Sequence, residues 1–416
     1  MVTVFGLGFV GLTTALGFAE MGHKVYGVET SAERMLRIKS GQLPFLEPGL
    51  DDALTRHLGG NFLPCDDPAQ AVRDSDVVYY CVGTPYGEGG EADLTCLFQA
   101  IDETLKSIHD DRFRVLVVKS TVPPPTTRDK VIPFVAERGF EAGVRIGVAN
   151  NPEFLREGHC WDDFTNADRI VLGVSDERSA QILRALYAGG NGAPVFCVSL
   201  NTGEFIKYLS NTLLATMISY ANEMSVAADV IGGINVADAF RILLLDRRWS
   251  GCEMRKYVYP GCGYGGYCLP KDTNAFHAAL RGKGFEARIL ENVIRTNDET
   301  PRVIANRVAA AAGTEKTIGV LGLSFKPDSD DVRDTPAAKV LRALLAMGYT
   351  RFVAHDPVAN AEFQRHYPDL NGVALLESVD DVLREADAIL ILTAWDVFRT
   401  VRERTTKPVV DGRYML

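Results

Sequence analysis

An α/β chain of two doubly wound halves joined by a long central helix is what three features of the 416-residue sequence predict. Short apolar, β-branched runs, each closed by glycine, proline or hydroxyl residues, recur through residues 2–198 and again through 317–410, the pattern of buried parallel strands. Between them, residues 201–231 are apolar-periodic and free of proline, a length that suits an inter-domain spine or a subunit interface. The first strand candidate runs directly into Gly6-Leu7-Gly8-Phe9-Val10-Gly11 and then a helical pattern, the strand–turn–helix context of a dinucleotide site.

In that first unit, residues 2–5 form the strand and 12–21 the helix. Gly6 makes the tight turn, Gly8 lets a pyrophosphate approach the backbone, and Gly11 packs helix against strand, with Phe9 and Val10 on the same cofactor-facing turn. A second strand, 24–28, ends at Glu29, whose carboxylate suits the adenosine ribose hydroxyls and repels a 2′-phosphate, so NAD is expected over NADP. Arg34 either flanks the adenine or is a solvated helix charge. Strands at 76–82 and 114–119 close on Gly83-Thr84-Pro85 and Ser120-Thr121-Val122, which puts Thr84 and Thr121 at the carboxyl ends where a doubly wound sheet binds its ligand; plain turn chemistry is the alternative. Later strands fall at 145–149, 169–173 and 194–198, and the half ends near residue 200.

The central helix takes Asn201 or Thr202 as its N-cap. On one of its faces Lys207 and Asn211 stand four residues apart; they are either paired or part of a site, because an unpaired buried ammonium is costly. Beyond it, residues 316–416 repeat the α/β pattern without the three-glycine fingerprint, running TIGVL into Gly322-Leu323-Ser324-Phe325-Lys326-Pro327 and ending in Asp411-Gly412-Arg413. Two Rossmann-like crevices imply a cofactor in one and a nucleotide-bearing substrate in the other.

The reactive chemistry points to Tyr264-Gly265-Gly266-Tyr267-Cys268-Leu269-Pro270-Lys271-Asp272. If the glycine turn opens a helix, Cys268 sits at its N-terminus, where the dipole favours thiolate, and Asp272 lies one turn on, along the same face. A small buried cysteine is the plain alternative. Glu153 and Glu157, within Asn151-Pro152-Glu153-Phe154-Leu155-Arg156-Glu157-Gly158, form a third i,i+4 pair, with a solvated helix start as its alternative. The coincidence of three such pairs with a dinucleotide fingerprint favours a covalent catalyst.

Composition narrows the class. Apolar content of 46%, charged content of 24% and a net charge of −10 describe a soluble globular protein and argue against nucleic acid or an anionic membrane as partner. Eight irregularly spaced cysteines without a CxxC pair read as reduced thiols, with no metal centre. A core strand at residue 2 leaves no room for a signal peptide, and no run is long enough to span a bilayer, so a cytoplasmic protein is expected.

Taken in order, the N-terminal fingerprint, NPEFLREG at 151–158, the helix with Lys207 and Asn211, GYGGYCLPKD at 263–272, GLSFKPDSDDVRDTP at 322–336 and DGR at 411–413 resemble the UDP-glucose/GDP-mannose dehydrogenase family, from residue 2 to residue 413. The resemblance implies NAD-dependent four-electron oxidation of the carbon-6 hydroxymethyl of a nucleotide sugar to a carboxylate. UDP-glucose leads, with GDP-mannose, a UDP-N-acetylhexosamine or dTDP-glucose behind it. It implies domains at 1–200 (NAD), 201–300 (spine, dimerisation and cysteine motif) and 301–416 (nucleotide sugar), and a homodimer through the spine.

By position, it makes Cys268 the nucleophile that captures the aldehyde as a thiohemiacetal and then carries a thioester. Lys207 and Asn211 would stabilise the developing oxyanion, Asp272 and Thr121 would hold water, and Glu157 would assist deprotonation or hydrolysis. Glu153, Phe154, Leu155, Arg156 and Glu157 would wrap the sugar. Tyr257, Tyr264, Gly265, Lys326 and Arg413 would hold the diphosphate, Arg333 would reach the cofactor, and Arg247, Arg248 or Arg255 would cross to a neighbouring subunit. Two residues depart from the family pattern: Glu29 stands where an aspartate is commoner, and Cys262 where an aromatic is usual. A two-electron hydroxyacid-type dehydrogenase would need neither Cys268 nor a second α/β domain. A non-catalytic nucleotide-sugar binder would keep Lys326 and Arg413 without needing Cys268, Lys207, Asn211 and Asp272 together.

Overall fold

The computed structural model describes residues 1–246, 258–284 and 286–416, so Tyr257, Arg247, Arg248 and Arg255 lie outside the described residues. The chain divides into two compact units, Met1–Leu209 and Ser210–Leu416. Among the described residues no helix is long and apolar enough to cross a membrane.

The first unit carries eight strands: β1 (Val2–Phe5), β2 (Val25–Val28), β3 (Phe62–Pro64), β4 (Val77–Tyr80), β5 (Arg114–Val118), β6 (Ile146–Asn150), β7 (Ile170–Val174) and β8 (Val195–Val198). Their order is β3-β2-β1-β4-β5-β6-β7-β8. The first six repeat the 3-2-1-4-5-6 order of a dinucleotide-binding sheet, whose strand order reverses between β1 and β4. Helices cover both faces, which is why β1, β4, β5 and β6 are buried at every residue and read as unbroken apolar runs. Two features lie outside the sequence reading. β3 is three residues ending in proline, too short to show a period, and β7 pairs antiparallel with β6 where parallel strands were expected.

The helix Phe9–Glu20 starts at the glycine turn, three residues earlier than its apolar pattern, and buries every residue from Gly11 to Ala19 against the sheet. The long helix Leu200–Ile231 begins one residue ahead of Asn201 and two ahead of Thr202, the two expected caps. Its cap is Ser199, whose Oγ accepts the Thr202 N–H at 3.2 Å.

Among its described residues, the second unit holds the rest of that helix and five parallel strands: β9 (Ile318–Leu321), β10 (Phe352–His355), β11 (Val373–Leu375), β12 (Ala388–Ile391) and β13 (Val409–Asp411), in the order β11-β10-β9-β12-β13. β10 and β11 escaped the sequence reading because they are short and not bounded by glycine or proline on both sides. The core of this sheet packs under the helices Arg288–Ala311 and Pro336–Ala346 through Ile304, Val308, Val340, Leu341 and Leu344.

Candidate active site

At the β1 turn the glycines divide their work as the spacing requires. Gly6 has φ +84°, and a Cβ there would meet the Cys81 carbonyl oxygen at 2.8 Å. A Cβ on Gly11 would stand 1.7 Å from the Gly6 carbonyl oxygen, whereas one on Gly8 would meet nothing within 4 Å. Helix and strand therefore touch at Gly11, and the backbone is open for a pyrophosphate at Gly8. Phe9 and Val10 are half-buried beside it, with the Phe9 ring 4.0 Å from that of Phe45.

Glu29 does more than close the second strand. Its Oε2 accepts the Leu7 N–H inside the glycine turn at 2.9 Å, and Oε1 accepts the Ser31 N–H at 2.9 Å. Arg34 Nη1 completes the set at 2.9 Å from Oε2, so Arg34 is the partner of Glu29 and no isolated surface charge. Burial alone would raise the Glu29 pKa; the two amides and the guanidinium outweigh it and hold the carboxyl below its usual range. At the ends of β4 and β5, the Thr84 hydroxyl donates to the Thr121 carbonyl at 2.9 Å and ties the two loops together.

The segment 151–158 is irregular, so Glu153 and Glu157 do not form the helical pair their spacing suggested. Instead Glu153 turns inward and meets Lys207 at 2.7 Å, with both side chains about 5% exposed. Its other oxygen accepts the Leu155 N–H at 2.6 Å, which curls the loop. Phe154 lies under Arg169, whose guanidinium is 4.1 Å from the ring centroid. Arg156 grips Asp163 through Nε and Nη2, and Glu47 accepts the N–H groups of Gly158 and Cys160 at 2.9 and 2.7 Å. Glu157 is left half-buried on a loop pinned at both ends.

In the second unit the helix Cys268–Gly282 opens on the half-buried cysteine, as the motif implied. Asp272, one turn on, is 1% exposed and carries two partners: Asn211 Nδ2 donates to Oδ2 at 2.5 Å, and Lys271 Nζ sits 2.6 Å from Oδ1. Lys271 went unnoticed in the sequence, although two adjacent charges in the first turn of a mostly buried helix were the available signal. Burial would lower its pKa, but Asp272 and the Cys268 sulfur raise it further, and the ammonium stays charged beside the thiol. It lies 5.5 Å from the Tyr267 ring.

The motifs 263–272 and 322–336 pack together in this unit. A Cβ on Gly265 would stand 2.5 Å from the Asp334 carbonyl oxygen, and the Gly266 N–H donates to the Arg333 carbonyl at 2.9 Å. Arg333 pairs with Asp331 at 2.7 Å and lies 4.6 Å from the centre of the Tyr267 ring. Tyr264 packs its ring with Ala215 and Val293, which pushes its phenol up to about 12, while Asn297 clamps its backbone N–H and carbonyl at 2.7 and 3.1 Å. Lys326 is half-buried over the Phe325 ring. Arg413 lies against Gly261, where a Cβ would come within 2.6 Å of Nη1, and its buried Nε has no acceptor among the described residues. Asn222 holds the Gly261 N–H at 2.6 Å while its own buried amide donor also lacks an acceptor there. Buried donors of this kind fit an anionic, hydrogen-bonding ligand.

Residues 1–190 match the UDP-glucose/GDP-mannose dehydrogenase family, NAD binding domain; 201–299 match its central domain and 319–416 its UDP binding domain. A UDP-glucose 6-dehydrogenase from Pseudomonas aeruginosa is 35% identical over 427 residues, spanning 99% of this chain and 92% of that protein. One from Rhizobium meliloti is 37% identical and spans 96% of this chain and 90% of its own. Among solved structures, a UDP-glucose dehydrogenase from Pyrobaculum islandicum has a TM-score of 0.91 at 38% identity, covering 100% of this chain and 94% of that one. The glycine cradle and the matched first domain agree on NAD as the cofactor. With the three domains matched in order along one chain, this protein is an NAD-dependent oxidoreductase that belongs to the UDP-glucose/GDP-mannose dehydrogenase family.

Proposed function

We propose that the chain oxidises the carbon-6 hydroxymethyl of UDP-glucose to a carboxylate in four electrons, through a thiohemiacetal and a thioester on Cys268. The observation that carries this reading is the half-buried Cys268 at the start of its helix, one turn from an Asp272 held by Asn211 and Lys271. Bound NAD, held by Gly6, Gly8, Gly11 and Glu29 with Phe9, Val10, Arg34, Thr84, Thr121 and Arg333 around it, supplies the hydride acceptor for both oxidations.

Each residue then has a task that its surroundings support. Lys207, charged and dry beside Glu153, and Asn211, an amide donor, stabilise the oxyanion of the alkoxide and later of the thiohemiacetal. Cys268 sulfur adds to the aldehyde carbon, so the aldehyde stays bound, and the thioester left by the second oxidation is cleaved by water. Asp272 and Thr121 orient that water, and Glu157 takes its proton. Glu153 through Glu157 enclose the hexose, while Tyr257, Tyr264, Gly265, Lys326 and Arg413 hold the UDP. The domain division 1–200, 201–300 and 301–416 belongs to the same reading, as does residence in the cytoplasm, which the free thiols favour. So does a homodimer through the long helix, whose exposed Phe205, Leu209, Leu213 and Tyr220 stand four, four and seven residues apart, the spacing of one helix face.

The test is stoichiometry with a panel of nucleotide sugars, NADH read by absorbance and product by mass spectrometry. UDP-glucose should be the best substrate and yield two NADH per uronate. One NADH with free aldehyde, or GDP-mannose as the better substrate, would overturn the proposal.

A further inference from the structure

Lys119 follows β5 and directly precedes Ser120 and Thr121, yet it is 4% exposed. Its Nζ lies 3.1 Å from Asn151 Oδ1 and 3.4 Å from the Asn151 carbonyl oxygen, and among the described residues no carboxylate forms an ion pair with it. Glu153, an acid whose charge it feels, is already engaged by Lys207 at 2.7 Å. Lys119 and Lys207 are thus two buried ammonium groups that both feel the charge of Glu153, and only Lys207 is paired with it.

Among the described residues nothing else nearby supplies the missing negative charge. Cys81, beyond β4, has its thiol pushed up to about 12 by burial and stays neutral. Tyr187, at the end of the helix Glu177–Tyr187, donates its hydroxyl to Asn151 Oδ1 at 2.5 Å, and burial raises both its phenol and that of Tyr79 on β4. A buried cation without a counter-ion is destabilising, and an apolar side chain of equal length would fill the space without that penalty. Such groups cluster at sites where charge develops during a reaction.

We propose that Lys119 is a positioning residue for the oxidation assigned above: acting through the Glu153–Lys207 pair, its charge keeps the buried cluster net positive, so that Lys207 meets the developing oxyanion as a cation not neutralised by Glu153. The inference rests on the role given to Lys207 under the proposed function. An isolated Glu–Lys pair has no net charge and offers an oxyanion only a dipole; a second ammonium whose charge reaches the same carboxylate restores the field. Burial, assisted by the charge of Lys207, lowers the Lys119 pKa to about 8 against the charge of Glu153. The contribution is therefore present while Lys119 is protonated and disappears as pH rises through that value.

The experiment compares kcat of wild type with Lys119→Met and Lys119→Gln across pH, with KM for NAD and urea midpoints measured on the same preparations. The wild-type to variant ratio of kcat should be about tenfold near pH 7, the size of a one-unit change in proton affinity, and should fall toward one as pH rises through about 8, with KM for NAD unchanged. Both variants should melt at least as late in urea as wild type at neutral pH, since each removes an uncompensated charge. A pH-independent ratio, or wild-type kcat in Lys119→Gln, which keeps a donor for Asn151, would make Lys119 a structural tether and overturn the proposal. So would the failure of both variants to fold. The NADH yield of wild type, measured alongside, separates this from a failure of the functional reading: a yield of one per sugar removes that reading whatever the ratio shows.

Discussion

Asn211 donates to Asp272 at 2.5 Å across 61 residues of sequence, from the long helix to the helix that begins at Cys268. The other carboxylate oxygen belongs to Lys271 at 2.6 Å. Asp272 is thus the counter-ion of a buried ammonium as well as a neighbour of the thiol. Asp272→Asn should lower stability by about 3–5 kcal/mol, the scale of breaking a buried ion pair from one side. The pH dependence should also change sign. In wild type the Lys271 pKa is raised, so its contribution is full below the unfolded value and is lost only as pH rises through the folded one. In the variant, stability should improve with rising pH as Lys271 sheds its proton, which urea titrations at several pH values will show.

Replacing the thiol isolates the covalent step. Cys268→Ser should fold and bind NAD as wild type does, because the glycine cradle lies in the other unit, while steady-state turnover falls by roughly a thousand-fold or more. Calorimetric NAD titration and NADH release measure the two halves separately. Near-normal turnover would return Cys268 to a structural role.

Glu29 joins cofactor choice to the shape of the turn. Since its Oε2 holds the Leu7 N–H, Glu29→Ser should narrow the preference for NAD over NADP by about ten- to a hundred-fold, about 1.4 kcal/mol per factor of ten, and should also weaken NAD itself. The depressed pKa means that its stabilisation is present above the unfolded carboxylate value and is lost as pH falls through the folded one, so the stability gap between wild type and variant should be full at neutral pH and should close as pH falls through the folded value, read as urea midpoints. Equal use of NADP by wild type would refute the assignment.

Glu204, three residues before Lys207, carries the opposite perturbation. Its Oε1 accepts the Thr127 N–H at 2.7 Å and the Thr127 hydroxyl at 2.6 Å, but Oε2 has no partner among the described residues, and burial pushes the carboxyl up to about 7. The folded state then holds a proton that the unfolded state has released, so stability declines as pH rises from the unfolded value of 4.5 toward 7. Glu204→Gln keeps the acceptor and removes the charge. It should be more stable than wild type by about 1–3 kcal/mol at pH 7.5 and equal to it near pH 4.5, read as urea midpoints.

Local chemistry was enough to place the β1 turn, the long helix and the helix opening at Cys268, because glycine spacing, unbroken apolar runs and an i,i+4 acid each report on neighbours within one or two turns. The glycine spacing and Glu29 pointed to NAD, and the resemblance of the motifs carried the family. Only the folded chain decided which charges are partners. Glu153 and Glu157 looked like a pair on a helix, yet Glu153 reaches Lys207 from an irregular loop; Arg34 was open between flanking the adenine and a solvated charge, and it pairs with Glu29. Lys271, Lys119 and Glu204 are unremarkable as letters and acquire their meaning from burial. The short strands β3, β10 and β11 form for a related reason: three or four residues have little propensity of their own and are held by the ladders on which they pair. Desolvation and long-range pairing are properties of the assembled core, so they cannot be read from the residues that will experience them.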